Sequence, residues 1–319
     1  MSQKPRIVVT RMIHSDALRL LADSGEVELW TEPKPMPRHL LQEWLKDAEA
    51  CLSMLTDRID DAALEQAPSL KIVANMAVGF DNIDLSAATR HRVMVSNTPD
   101  VLTEATAELT WALILALARN LLSAREDLLQ GRWTVWSPDG FLGTELYGKS
   151  LGIVGLGRIG HAVARRAPAF GMDVVALGRS GHAAPGSIPR LTRDEFLTRA
   201  DVVSLHVPLT PDTRHLVNAE WLAHMKPSAY LINTARGAVV DEQALWAALN
   251  QGRLAGAALD VFQKEPVDGS HPLASHPRVL ATPHIGSATA ETRRAMAIRA
   301  AENIRSVLQG HPPRDWLNP

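Results

Sequence analysis

Three side chains of complementary chemistry stand in the second half of the chain, each just after a short apolar run: Arg236 in NTARG, Glu265 in DVFQKEP and His284 in TPHIGSAT. A guanidinium offers a planar fork that binds a carboxylate through two parallel hydrogen bonds. An imidazole gives or takes a proton near neutral pH, and a carboxylate on its other ring nitrogen holds the ring and raises its basicity. Singly, each also has an ordinary reading: a solvated loop arginine, a surface acid before Pro266, a loop histidine with its hydrogen bonds satisfied. At the ends of successive strands, however, all three would face one edge of a sheet and the cleft between two domains.

The element that would place such an edge is Ser150 to Phe170, SLGIVGLGRIGHAVARRAPAF. Leu151 to Val154 reads as a buried parallel strand. Gly155 permits a tight turn, Gly157 lets the backbone approach a pyrophosphate, and Gly160 lets the next helix pack on the strand. The helix N-terminus adds unpaired N–H groups and a positive dipole end. A strand-turn-helix without a ligand fits the same spacing, but its strand-to-helix setting favours a dinucleotide. After the next strand, Asp173 to Leu177, the acidic residue that would hold the ribose 2′-hydroxyl of NAD is missing. Gly178, Arg179 and Ser180 stand there instead. Arg179 and Ser180 could bind a 2′-phosphate, which favours NADP(H) over NAD(H), the alternative being that Arg179 is a solvated surface residue.

Alternating strand and helix patterns over the first hundred residues predict a parallel sheet with helices on both faces. Within them NMAVGFDNID, Asn75 to Asp84, follows a strand end, where Gly79 could offer backbone N–H groups to an anion or simply form a βα loop. Thr103 to Gln130 reads as one long helix, apolar nearly all round in its middle and so buried between domains or against another subunit. Trp133 and Trp136 follow, fitting an interface or plain core packing. Further strands at Val202 to His206, Tyr230 to Asn233, Ala255 to Asp260 and Val279 to Ala281 complete a second doubly wound domain. A final helix, Ala290 to Leu308, could return to the first.

At 319 residues the chain has room for two domains, and a formal net charge of −2 gives no general attraction to nucleic acid or an anionic membrane. The single cysteine, Cys51, builds neither an intrachain disulfide nor a zinc site, so no metal is expected and a reducing compartment fits best. The N-terminal apolar run is too short for a signal peptide, and Trp111 to Ala118 is short of a membrane span. A cytoplasmic location is the expectation.

Taken together, AVGFDNID, TEATAEL, GIVGLGRIG, HVPLTPDT, INTARG, DVFQKEP and TPHIGSAT resemble, in order and spacing and over almost the whole chain, the D-2-hydroxyacid dehydrogenase family. The wording is most like its NADP-preferring glyoxylate and hydroxypyruvate reductases. The resemblance implies that His284 is the proton donor, that Glu265 orients it, and that Arg236 binds the substrate carboxylate and carbonyl. It implies that the amides of Val78 and Gly79 bind the carboxylate and that Asp260 holds the nicotinamide carboxamide. Thr106, Arg158, Ile159, Pro208, Ala235 and Gly286 match further cofactor contacts, and Arg179 with Ser180 the 2′-phosphate site. Trp136 resembles a tryptophan that reaches a partner subunit's active site, although its flanking residues differ.

The resemblance also implies a discontinuous plan. A flavodoxin-like substrate domain would comprise residues 1–100 and 290–319, with a Rossmann cofactor domain of residues 101–289 inserted, hinged closure of the cleft, and a homodimer joined through the cofactor domains. The activity it implies is NADPH-dependent reduction of small 2-oxo acids to D-2-hydroxy acids. A 2-ketogluconate reductase is the alternative among enzymes. A corepressor-like protein that senses NAD(H) without turnover is the alternative outside them.

Overall fold

A computed structural model describes residues 4–178 and 187–319. Arg179 and Ser180, expected at the 2′-phosphate, lie outside the described residues. The chain divides into two compact units, Met1–Leu102 with Ser287–Pro319, and Thr103–Gly286.

The first unit alternates β1 (Arg6–Val9), α1 (Ser15–Ser24), β2 (Glu26–Leu29), α2 (Arg38–Leu45), β3 (Ala50–Ser53), α3 (Asp61–Glu65), β4 (Ile72–Asn75), α4 (Leu85–Arg90) and β5 (Met94–Ser96). All five strands are parallel, in the order β2-β1-β3-β4-β5. Val8, Cys51, Val73 and Val95 put one sheet face into a core with Leu41, Leu45, Leu64 and Ala87 from the helices. β1, β3 and β4 are buried on both faces, which explains why they read as short apolar runs, whereas the edge strand β2, EVEL, alternates. Asp60 and Asp84 cap α3 and α4, accepting from the N–H groups of Ala63 and Ala87.

The second unit begins with α5 (Thr103–Ala118) and α6 (Leu121–Leu129), followed by β6 (Ser150–Val154), α7 (Arg158–Ala164), β7 (Asp173–Leu177), β8 (Arg190–Leu191), α8 (Arg193–Arg199), β9 (Val202–Leu205), α9 (Ala219–His224), β10 (Tyr230–Asn233), α10 (Glu242–Asn250), β11 (Gly256–Leu259) and β12 (Val279–Ala281). Its seven parallel strands run β12-β11-β10-β9-β6-β7-β8. Strand order therefore reverses between β6 and β9, and it is beyond the carboxyl ends at such a reversal that open α/β sheets bind ligands. The two-residue β8 had no signal in the sequence. The last helix, α11 (Ala290–Leu308), packs on α1, β3 and β4 of the first unit. Behind it the tail pairs with β5, through Leu317 N–H to Val95 O at 2.8 Å and Val95 N–H to Asn318 Oδ1 at 2.8 Å.

The expected single helix from Thr103 to Gln130 is instead two, bent by 61°. Asn120 takes a left-handed conformation (φ +51°), where its short polar side chain is tolerated, and donates to Leu142 O at 2.7 Å. Burial follows the same division. Trp111, Leu113, Ile114 and Ala118 of α5 join Leu151, Ile153, Ile232 and Ala258 in the core, whereas α6 buries no residue. Trp133 and Trp136 are 54% and 75% exposed, so they are not core residues of this chain. No single helix among the described residues is long and apolar enough to cross a membrane.

Candidate active site

Strands β10, β11 and β12 are consecutive in the second sheet, with Asn233 opposite Leu259 and Leu259 opposite Ala281. Their carboxyl ends deliver the loops that carry Arg236, Glu265 and His284. Asn233, fully buried at the end of β10, shapes the first loop: its Nδ2 donates to Arg236 O at 2.9 Å and its Oδ1 accepts from Ala235 N at 3.0 Å. Arg236 then leads into a short 3-10 turn, Gly237–Val239. A Cβ on Gly237 would lie 1.9 Å from the Phe262 carbonyl carbon, so only glycine lets the Arg236 and Glu265 loops pack this closely.

Glu265 and His284 are joined directly, Oε2 to Nδ1, at 2.7 Å. Burial works against the charged form of Glu265. The hydrogen bond and charge of His284, the Phe262 N–H on Oε1 at 3.0 Å and the charge of Arg236 outweigh it, holding the carboxyl below its ordinary range. An ionised carboxylate only accepts, so Nδ1 is the donor and Nε2 is left for proton exchange. The His284 backbone is itself constrained, at φ +54°, with its N–H shared between Asp260 O (2.9 Å) and Thr282 O (3.0 Å). A left-handed non-glycine residue stores about 1 kcal/mol or more, and such strain gathers at functional sites.

Asp260 anchors this loop. Its Oδ1 accepts from Thr282 Oγ1 (2.7 Å) and Ile285 N (2.8 Å), and its Oδ2 from Gly286 N (2.8 Å). Burial outweighs these bonds and pushes its carboxyl above the ordinary range. A Cβ on Gly286 would stand 3.3 Å from Asp260 Oδ2 and 3.6 Å from Thr106, so Asp260, Gly286 and Thr106 form one cluster.

At the β6–β9 reversal the three glycines have separate reasons. Gly155 has φ +98°, and a Cβ there would meet His206 O at 2.7 Å. A Cβ on Gly160 would sit 2.1 Å from Gly155 O. A Cβ on Gly157 would meet nothing within 4 Å among the described residues, and its φ of −81° suits any residue. The protein itself has no need of that glycine, as expected where a ligand's phosphate fills the space at the start of α7. The donor set therefore fits a dinucleotide.

The family description "D-isomer specific 2-hydroxyacid dehydrogenase, NAD binding domain" matches residues 111–286. The chain belongs to the D-isomer-specific 2-hydroxyacid dehydrogenases. It is 48% identical over 324 aligned residues to a glyoxylate reductase of Aeropyrum pernix, covering 99% of this chain and 96% of that protein. Among solved structures, the TT0316 protein of Thermus thermophilus superposes with a TM-score of 0.92 at 46% identity, covering 98% of this chain and 99% of that one. An NADPH-dependent glyoxylate/hydroxypyruvate reductase of Sinorhizobium meliloti, solved with NADP and malonate, gives 0.86 at 34% identity, covering 99% and 97%.

In this dehydrogenase, Arg158 and Ile159 open α7, Pro208 follows β9, and Ala235 precedes Arg236. Val78 and Gly79 lie in the other unit, in the loop after β4. Two residues of the dehydrogenase fold went unread in the sequence. Asn233 looked like one more strand residue, although an amide at a strand's last position is itself a signal. His206 is held neutral, pushed down to about 4 by burial, with Nε2 2.9 Å from Ser204 Oγ.

Proposed function

We propose that this dehydrogenase reduces small 2-oxo acids, glyoxylate and hydroxypyruvate foremost, with NADPH preferred over NADH. The observation that carries the proposal is the His284–Glu265 hydrogen bond, held one strand from Arg236 on a sheet whose glycine turn leaves room for a dinucleotide. The glyoxylate reductases to which the chain is similar support the substrate class. Preference for NADPH rests on Arg179 and Ser180 standing where a 2′-hydroxyl ligand would be acidic.

Gly155, Gly157 and Gly160 with Arg158, Ile159, Thr106, Pro208, Ala235, Asp260 and Gly286 hold the dinucleotide, which when bound supplies the hydride. Arg236 and the amides of Val78 and Gly79 grip the substrate carboxylate and orient its carbonyl. His284 gives the proton on Nε2 to the carbonyl oxygen while Glu265 keeps Nδ1 protonated and the ring in place. Hydroxypyruvate would give D-glycerate, and glyoxylate would give glycolate. The first unit thus serves as the substrate domain and the second as the dinucleotide domain. Leu121, Leu122, Leu128, Leu129, Trp133 and Trp136 are each more than half exposed, and a second copy of the chain would cover these apolar side chains.

Initial rates of NAD(P)H oxidation with glyoxylate, hydroxypyruvate and 2-ketogluconate, each with both coenzymes, test the proposal. Fastest turnover of glyoxylate or hydroxypyruvate with NADPH is expected. Turnover mainly of 2-ketogluconate, or of none, would overturn it, and an NADH preference would overturn the coenzyme assignment.

A further inference from the structure

The loop after β4 holds an arrangement that the dyad does not use. Thr98 N donates to Ala77 O at 2.9 Å, Asn97 Nδ2 to Val78 O at 2.8 Å, and Asn75 Nδ2 to Gly79 O at 2.9 Å. Three successive carbonyls are thus turned toward the ends of β4 and β5. The one cis peptide bond among the described residues is Glu265–Pro266, so these three peptide units are trans. In a trans planar peptide the following N–H points opposite to the carbonyl. The N–H groups of Val78, Gly79 and Phe80 therefore point outward, and none of them donates to an acceptor among the described residues. Three consecutive outward N–H groups make a concavity that attracts an anion.

The two asparagines are built in rather than incidental. Asn75 is fully buried and Asn97 is 8% exposed. Asn75 Oδ1 accepts from Ser53 Oγ at 3.2 Å, and its amide pairs reciprocally with that of Asn82 at 3.2 and 3.3 Å. Asn82 in turn donates to Met54 O (3.1 Å) and Asp57 O (2.9 Å), tying the loops after β3 and β4 together. The Asn97 backbone is fixed from the C-terminal segment, its N–H donating to Asp315 O at 3.4 Å and its carbonyl accepting from Asn303 Nδ2 at 3.4 Å. A side-chain amide is the group this task requires, since it must donate to a carbonyl. An aspartate of the same shape only accepts when ionised and would repel that carbonyl.

We propose that Asn75 and Asn97 are positioning residues for the substrate carboxylate, holding the Val78 and Gly79 carbonyls inward so that three amides, that of Phe80 included, aim at the anion. The proposal rests on the assignment of the Val78–Gly79 loop as the carboxylate site. Neither asparagine touches substrate. Each acts through the direction of a peptide plane.

The test uses the full-length chain with Asn97→Asp, which keeps the shape and loses the donor, and Asn97→Ala should the first fail to fold. KM for glyoxylate and the inhibition constant of oxalate are expected to rise about tenfold or more, the worth of a hydrogen bond to a charged group. The change in kcat should be smaller, and NADPH affinity, which belongs to the other unit, should be unchanged. A purely structural role would lower the melting temperature without this split. In parallel, oxalate is titrated into wild-type protein labelled with 15N at valine, glycine and phenylalanine. Shifts of the Val78, Gly79 and Phe80 amides together with raised constants in the variants support the proposal. Shifts in the wild type with unchanged constants in the folded variants overturn it and leave the carboxylate assignment standing. If these amides do not move, the assignment fails and the proposal fails with it.

Discussion

Gly157 and Gly160 stand three residues apart in one turn, yet the structure gives them opposite sensitivities. A Cβ on Gly160 would lie 2.1 Å from Gly155 O and 3.2 Å from Ile153 Cγ2, contacts that only a backbone shift relieves. Overpacking of this kind costs about 3 kcal/mol. For a unit the length of Thr103–Gly286 that lowers the melting temperature by roughly 6–12 °C. Gly157 is the N-cap of α7, with extended backbone and no protein atom within 4 Å of its would-be Cβ. Gly157→Ser therefore gives a helix a preferred cap and changes stability by a few tenths of a kcal/mol, about what separates serine from glycine at that position. With a dinucleotide bound as proposed, the same side chain would occupy phosphate space. Loss of two amide bonds to a charged phosphate, about 1.5 kcal/mol each, weakens NADPH more than about a hundredfold. Differential scanning fluorimetry without coenzyme and a fluorescence titration with NADPH separate the two effects. A Gly157→Ser protein that melts as low as Gly160→Ala, or that binds NADPH as tightly as wild type, would refute the assignment of that space to a ligand.

His284→Ala is expected to lower kcat by orders of magnitude with near-normal NADPH affinity, measured by steady-state kinetics beside a direct titration. Because the folded Glu265 carboxyl is held below its ordinary value, the His284–Glu265 pair is intact above that value and is lost as pH falls through the depressed one. Wild-type kcat/KM should accordingly fall on an acid limb below the ordinary carboxylate range, whereas Glu265→Gln should lack that limb and run about tenfold slower across neutral pH, the worth of one such bond. In the C-terminal segment, Arg299 Nε meets Asp315 Oδ2 at 3.3 Å with both side chains about nine-tenths buried. Asp315→Ala leaves a buried guanidinium unpaired and should cost about 3 kcal/mol in a urea titration, with kcat changed little.

The parallel sheets were legible because two-sided burial writes them as short apolar runs, and the glycine turn because Gly155 and Gly160 each answer a steric demand of the strand-turn-helix. The last helix, Ala290–Leu308, was legible from its amphipathic pattern. The break at Asn120 was not, since an asparagine inside an apolar helical pattern reads as a tolerated residue until its left-handed φ is seen. The two-residue β8 is too short to carry a period. Within the site, Arg236, Glu265 and His284 could be picked out by chemistry and order. Their contact could not, because the 2.7 Å approach of His284 to Glu265 depends on the left-handed backbone of His284, on Asp260 beneath it and on Gly237 against Phe262.

What those hidden parts have in common is a physical problem at the carboxyl edge of a parallel sheet. Where the chain leaves the last ladder bond, its carbonyls lose their partners, and an unpaired buried carbonyl costs about 1–3 kcal/mol. In both units the last residue of a central strand is a fully buried asparagine, Asn75 on β4 and Asn233 on β10. Each donates to a carbonyl a few residues ahead, Gly79 O and Arg236 O, both at 2.9 Å. A side-chain amide at that position does the work of one more rung of the sheet while the backbone turns away. Loops held this way gain direction without a helix or strand of their own, the Val78–Gly79 loop in one case and the Arg236 loop in the other. Substitution of either asparagine should consequently redirect a functional group before it loosens the fold.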